Sequence, residues 1–140
     1  MADDNPSALS HISLGTNDLA RAGAFYDAVL APLGCSRIME HPGMIAYGRA
    51  YPEFWLHEPI DGKPATVGNG SHISFFAESK EAVHAFHKAG IAAGAKDEGP
   101  PGPRPHYGEP YYGGFLRDPD GHKIEATFFD LELAKKMGMI

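Results

Sequence analysis

Ile12 and Leu14 alternate with His11 and Ser13, and Ile73 and Phe75 alternate with His72 and Ser74. Such two-residue alternation predicts strands with one apolar and one polar face, both histidines standing on the polar side. Each run leads into a helical pattern. Thr16, Asn17 and Asp18 supply N-cap chemistry, Leu19, Ala22, Tyr26, Val29 and Leu33 recur at helical spacing, and Gly34 is the stop. Ser79 starts the second helix, with Val83 and Phe86 turned inward and an end near Gly90. Short strands are expected at 35–40, 44–49 and 53–57 after the first helix, separated by His41-Pro42-Gly43 and Tyr51-Pro52. After the second they are expected at 91–96, 113–117 and 123–129, the last two joined by the turn Asp118-Pro119-Asp120-Gly121.

The two halves are copies of one another. Ser10-His11-Ile12-Ser13 returns as Ser71-His72-Ile73-Ser74, and in the same register Ala24-Phe25 returns as Ala85-Phe86 and Ala28 as Ala89. A match held from strand into helix marks a repeated supersecondary unit. Both halves read β-α-β-β-β, so the expected fold is α+β, two βαβββ modules at about 8–59 and 70–130. Residues 60–69 connect the modules, and 131–140 form a C-terminal tail. Residues 99–112 hold five prolines together with Arg104, His106, Tyr107, Tyr111 and Tyr112, and read as an ordered loop beside a site or as a proline-stiffened surface connection.

Composition narrows the function. The chain has 140 residues and a formal net charge of −6, without a dense run of Lys or Arg, which argues against nucleic-acid and anionic-membrane partners and favours a small-molecule substrate. Cys35 is the single cysteine, so no intramolecular disulfide forms, and the first eight residues lack the basic and apolar regions of a secretion leader. A cytoplasmic protein is expected. No apolar run is long enough to span a bilayer.

In the last strand Lys123, Glu125 and Thr127 share the polar face. If the copies pack about an approximate twofold axis, His11, His72 and Glu125 are expected to converge. Two imidazoles and a carboxylate suit a divalent Zn, Ni, Fe, Mn or Co ion and leave positions open for water and substrate oxygens. Each of these residues taken alone reads more simply as a hydrogen-bonded strand residue. His41, His84, His87 and His122 read as solvated, and Asp118, Asp120 and Gly121 as turn formers.

Three segments carry a resemblance: Leu9-Ser10-His11-Ile12 before Asn17-Asp18-Leu19 and Phe25-Tyr26, then His72, then Asp118-Pro119-Asp120-Gly121-His122-Lys123-Ile124-Glu125. Over residues 8–130 the chain resembles the vicinal oxygen chelate superfamily, which includes glyoxalases, fosfomycin resistance enzymes, extradiol dioxygenases and bleomycin resistance proteins. The resemblance implies that the two modules form one curved mixed sheet around a metal site, in a metalloenzyme of lyase or isomerase type acting on a small substrate with vicinal oxygens. It equally admits an extradiol-type dioxygenase with the same triad, or a non-catalytic protein that sequesters a ligand.

Glyoxalases add a fourth ligand, usually Glu, on the last strand of the first module. Pairing Phe54 with Ile124 puts Trp55 there, and an indole N–H cannot ligate a metal. Catalytic candidates are therefore Glu125, His57 and Tyr111. Trp55, Glu53, Arg104, Tyr107 and Tyr112 are candidates for the substrate pocket, with Trp55 able to wall it. The resemblance also implies a homodimer, in which the site sits within one chain or across the boundary between two.

Overall fold

The structure, a computed structural model, describes residues 7–140, so most of the segment read for a secretion leader lies outside the described residues. The first module runs β1 (Ile12–Gly15), α1 (Leu19–Leu30), β2 (Ser36–His41), β3 (Met44–Gly48) and β4 (Phe54–His57). The second runs β5 (His72–Phe76), α2 (Lys80–Ala92), β6 (Lys96–Pro103), β7 (Tyr111–Arg117) and β8 (Lys123–Phe129), and is followed by α3 (Leu131–Lys136). Each module makes its own four-stranded mixed sheet, in the orders β1-β4-β3-β2 and β5-β8-β7-β6. The first strand of each sheet pairs parallel with the last, and the other pairings are antiparallel.

Both helices are capped as their sequences dictate. Asp18 accepts from the Arg21 amide and Ser79 from the Ala82 amide, satisfying donors that the first turn leaves free. The helices pack against each other and against the apolar faces of the sheets. Phe25, Tyr26, Val29 and Leu30 of α1 share one core with Val83 and Phe86 of α2, Phe54 and Leu56 of β4, and Leu116 and Ile124 of the second sheet. The outer faces, which carry the histidines, are left open.

Three boundaries differ from the sequence reading. The strand expected at 91–96 is displaced: α2 continues to Ala92, and β6 occupies Lys96–Pro103. The region read as a loop from 99 therefore begins as strand. Pro100, Pro101 and Pro103 cannot donate to a ladder, but β6 is an edge strand and its pairing with β7 slips at Asp97/Gly99 and again at Gly99/Gly102. Residues 131–140 are not a simple tail, because Asp130 caps α3 by accepting from the Leu133 amide and Ala134 is fully buried.

The β7–β8 turn does more than reverse the chain. Asp118 is buried, accepting from the amides of Asp120 and His122 on one oxygen and from the Tyr26 hydroxyl at 2.6 Å on the other. Asp120 accepts from Thr16, from the Asn17 amide and from Arg21. His122, expected in solvent, is buried with its Nε2 2.7 Å from the Gly15 carbonyl. The turn of the second module thus clamps the β1–α1 junction of the first.

Candidate metal half-site and binding face

Glu125 lies on β8, flanked by Ser74 of β5 and Phe115 of β7, and is 5% exposed. Its Oε1 stands 3.1 Å from His72 Nε2. Its Oε2 accepts from the Tyr111 hydroxyl and, at 2.8 Å, from Thr127 Oγ1. With its proton spent on Glu125, Thr127 accepts from Ser74 across 2.6 Å. Ser74, Thr127 and Tyr111 therefore fix the carboxylate from one side, while His72 meets it from the other.

Burial, reinforced by the hydrogen bond and charge of Glu125, pushes the Tyr111 phenol well above its usual range. Tyr111 thus stays a donor at neutral pH. Its ring packs edge-on against Tyr107 at 5.0 Å, and Tyr107 in turn meets His106 at 4.2 Å. Next to the carboxylate, the Phe115 ring lies 6.0 Å from the His72 ring, with Arg104 at 5.8 Å and Lys123 Nζ at 5.1 Å from its centroid. Arg104 donates to the carbonyls of Gly102, Pro103 and Pro100.

The first module presents a different face. Ile12 pairs with Phe54 and Ser13 with Trp55, as Ile73 pairs with Ile124 and Ser74 with Glu125, so Trp55 holds the place that Glu125 holds in the second module. The Trp55 indole donates to the Pro52 carbonyl at 3.1 Å and its ring stands 6.3 Å from His11. His11 is exposed, with Nδ1 2.9 Å from Ser10 Oγ. His57 Nδ1 donates to the Glu58 carbonyl at 2.8 Å. Glu53 joins His11, Arg49 and Cys35 in lining a cavity that also reaches Phe75 and Phe76.

Within one chain the expected triad does not converge. Among the described residues, no three His, Cys, Asp or Glu side chains form a group able to hold a metal ion. One cavity is lined by Ser10, His11 and Ile12 together with Ser74, Phe75 and Phe76, and a second by Ser13, Leu14 and Gly15 together with Ser71, His72 and Ile73. His11 and His72 thus line different cavities. Tyr112 is also displaced: alternation turns it to the helix side, where its hydroxyl lies 2.6 Å from His84 Nε2 and Lys80 stands over its ring.

The His72–Glu125 pair nevertheless suits a cation. Bonds of roughly 2.0–2.2 Å from one ion to an imidazole nitrogen and a carboxylate oxygen leave those atoms about 3 Å apart, the spacing seen here. The hydrogen bonds on Oε2 hold the carboxylate as ligand-supporting groups do, leaving Oε1 directed at the imidazole. The sequence reading placed Thr127 and Ser74 on the polar faces of their strands without giving them, or Phe115, a part in the site.

Residues 8–126 match the family described as the glyoxalase/bleomycin resistance protein/dioxygenase superfamily. A glyoxalase/bleomycin resistance protein from Albidiferax ferrireducens is 43% identical, covers 86% of this chain and 98% of its own, and superposes with a TM-score of 0.79. A lactoylglutathione lyase from Agrobacterium tumefaciens (24% identity, 90% of this chain and 96% of its own, TM-score 0.64) shares the fold. So does a fosfomycin resistance protein from Listeria monocytogenes (22% identity, 91% and 98%, TM-score 0.65). No curated protein matches the chain. On the family match across most of its length, the chain belongs to the glyoxalase/bleomycin resistance protein/dioxygenase superfamily.

Proposed function

We propose that this protein is a metalloenzyme of glyoxalase type, of the lyase or isomerase class, acting on a small substrate with vicinal oxygens. The observation that carries the reading is the His72–Glu125 pair on an open sheet face, its second carboxylate oxygen held by Tyr111 and Thr127. The third ligand is His11 from a second copy of the chain, since its own His11 lines a different cavity from His72. Phe76, 75% exposed beside Ser74, offers that copy an apolar contact. When bound, the divalent ion polarises the substrate's oxygens and makes an adjacent C–H more acidic.

Each residue then has a task. His72 and Glu125 would hold the ion, and the Tyr111 hydroxyl keeps Glu125 oriented. Trp55, beside His11 and unable to ligate, walls the pocket and leaves an open position where a fourth protein ligand would stand. His57 is the candidate to move a proton, with Nε2 as its available atom because Nδ1 is engaged by the Glu58 carbonyl.

Metal content of the purified protein is the first test, and His72→Ala should abolish uptake. Subunit mixing tests the shared site. His11→Ala and Glu125→Ala should each lose metal, and an equal mixture allowed to exchange subunits should recover about a quarter of the sites, because half the dimers are mixed and each mixed dimer has one intact triad. A triad within one chain would recover none. A wild-type protein that takes up no metal, yet binds ligand unaffected by His72→Ala, would instead be a sequestering protein. An iron-loaded protein that consumes dioxygen with catechols would be a dioxygenase.

A further inference from the structure

We infer that Tyr112 is a nucleophile on the opposite face of the second sheet from Glu125, able to accept an acyl group from an activated acyl donor while His84 takes its proton. This site shares no residue with the metal half-site, so it stands or falls independently of the proposed function.

Strand alternation separates the two tyrosines at the start of β7. Tyr111 reaches Glu125, and Tyr112 turns to the other side, against α2. There its hydroxyl lies 2.6 Å from His84 Nε2, with the two rings 5.7 Å apart between centroids. Lys80 Nζ stands 5.1 Å from the centroid of the same phenol ring. Lys80 and His84 are four residues apart on α2, so one helical face delivers both groups to Tyr112.

The partner of its hydroxyl distinguishes Tyr112 from the other tyrosines. Of the six in the chain, Tyr26, Tyr47 and Tyr111 donate to carboxylates, those of Asp118, Asp27 and Glu125 respectively. Burial, with these carboxylates beside them, pushes all three phenols up, so they hold their protons. Tyr51 meets the Ser10 hydroxyl at 3.1 Å, and a hydroxyl is a poor base. Among the described residues, Tyr112 alone has an imidazole at its oxygen. A neutral imidazole at this distance can take the proton as the phenol attacks, and a cation over the ring attracts the charge that develops there.

In the transfer, the Tyr112 oxygen attacks the acyl carbon as its proton passes to His84 Nε2. A C–O bond forms and the bond to the leaving group breaks. The leaving group departs with the electron pair and takes the proton from His84, which leaves an aryl ester at Tyr112 and a neutral imidazole.

N-Acetylimidazole, an activated acyl donor, sets reactivity against exposure. Acetylation at neutral pH is followed residue by residue by peptide mass mapping, and reversal with hydroxylamine identifies the esters. Tyr51 and Tyr107 are 53% and 52% exposed, whereas Tyr112 is partly buried, so access alone ranks Tyr112 behind them. Tyr112 should instead react about tenfold or more faster, because assistance by a base, of about a hundredfold or more, outweighs the poorer access. His84→Gln keeps a hydrogen-bond acceptor but offers no base, and should bring Tyr112 down to the rate of Tyr51 or below it. The rates at Tyr51 and Tyr107 should not move, and the buried Tyr26 and Tyr47 should stay unmodified, which reports an intact fold. A rate order that follows exposure, or a fast Tyr112 that survives His84→Gln, would overturn the inference.

Discussion

Replacing Tyr26 with Phe removes one oxygen from the clamp between the modules and leaves the surrounding packing in place. The Tyr26 ring meets Phe54 at 4.8 Å and Phe25 at 5.0 Å between centroids, contacts that a phenylalanine ring keeps. Its hydroxyl donates to Asp118 Oδ2 at 2.6 Å, with Tyr26 0% and Asp118 5% exposed. The other oxygen, Oδ1, is already shared by the amides of Asp120 and His122. Tyr26→Phe therefore strands one oxygen of a buried carboxyl group where water has little access.

A hydrogen bond to a charged group contributes about 1.5–3 kcal/mol, and the buried setting argues for that range over the smaller neutral one. Spread over the unfolding entropy of a chain this size, the loss lowers Tm by roughly 5–10 °C. Urea unfolding followed by Trp55 fluorescence should show a lower midpoint with an unchanged m-value. Tyr112→Phe serves as the comparison, since it deletes a hydroxyl whose bond to His84 is exposed and should cost less than about 0.5 kcal/mol. A change below that same threshold at Tyr26 would refute the claim that the turn fastens the two modules together.

Alkali should weaken the fold. Burial raises the phenols of Tyr26 and Tyr47, helped by Asp118 and Asp27 respectively, so the folded chain holds protons that the unfolded chain releases from about pH 10. Stability is fully present below that pH and then falls by about 1.4 kcal/mol per pH unit for each of the two phenols until their folded pKa values are reached, measurable by urea titrations from pH 9 to about 11.5. At the half-site, Tyr111→Phe should lower zinc affinity by about 10- to 100-fold, because it loosens the hold on Glu125 in its ligating orientation. Unchanged zinc affinity would deny Tyr111 a part in holding that carboxylate.

Local patterns were enough for much of the molecule. Alternation around His11 and His72 identified β1 and β5 and placed both imidazoles on the polar side, and helical spacing with Asp18 and Ser79 as caps located α1 and α2. The shared register of the repeat made Trp55 the counterpart of Glu125, as the strand pairing shows. These features are legible because a side chain's face follows from the dihedral period of its own element, whatever lies across the core.

The prolines of 100–103 were read as loop, because strand propensity carries no knowledge of which strand is an edge with its N–H positions unpaired. Tyr111 and Tyr112 were both placed beside the site, since neighbours in a strand cannot be told apart until the phase of that strand is known. Only the tertiary structure settled that His11 and His72 line different cavities. The placement of one module against the other rests on the packing of α1 on α2 and on the clamp of Asp118, Asp120 and His122 on the β1–α1 junction. Those contacts join residues roughly a hundred positions apart in the chain, and no local periodicity encodes which of them will meet.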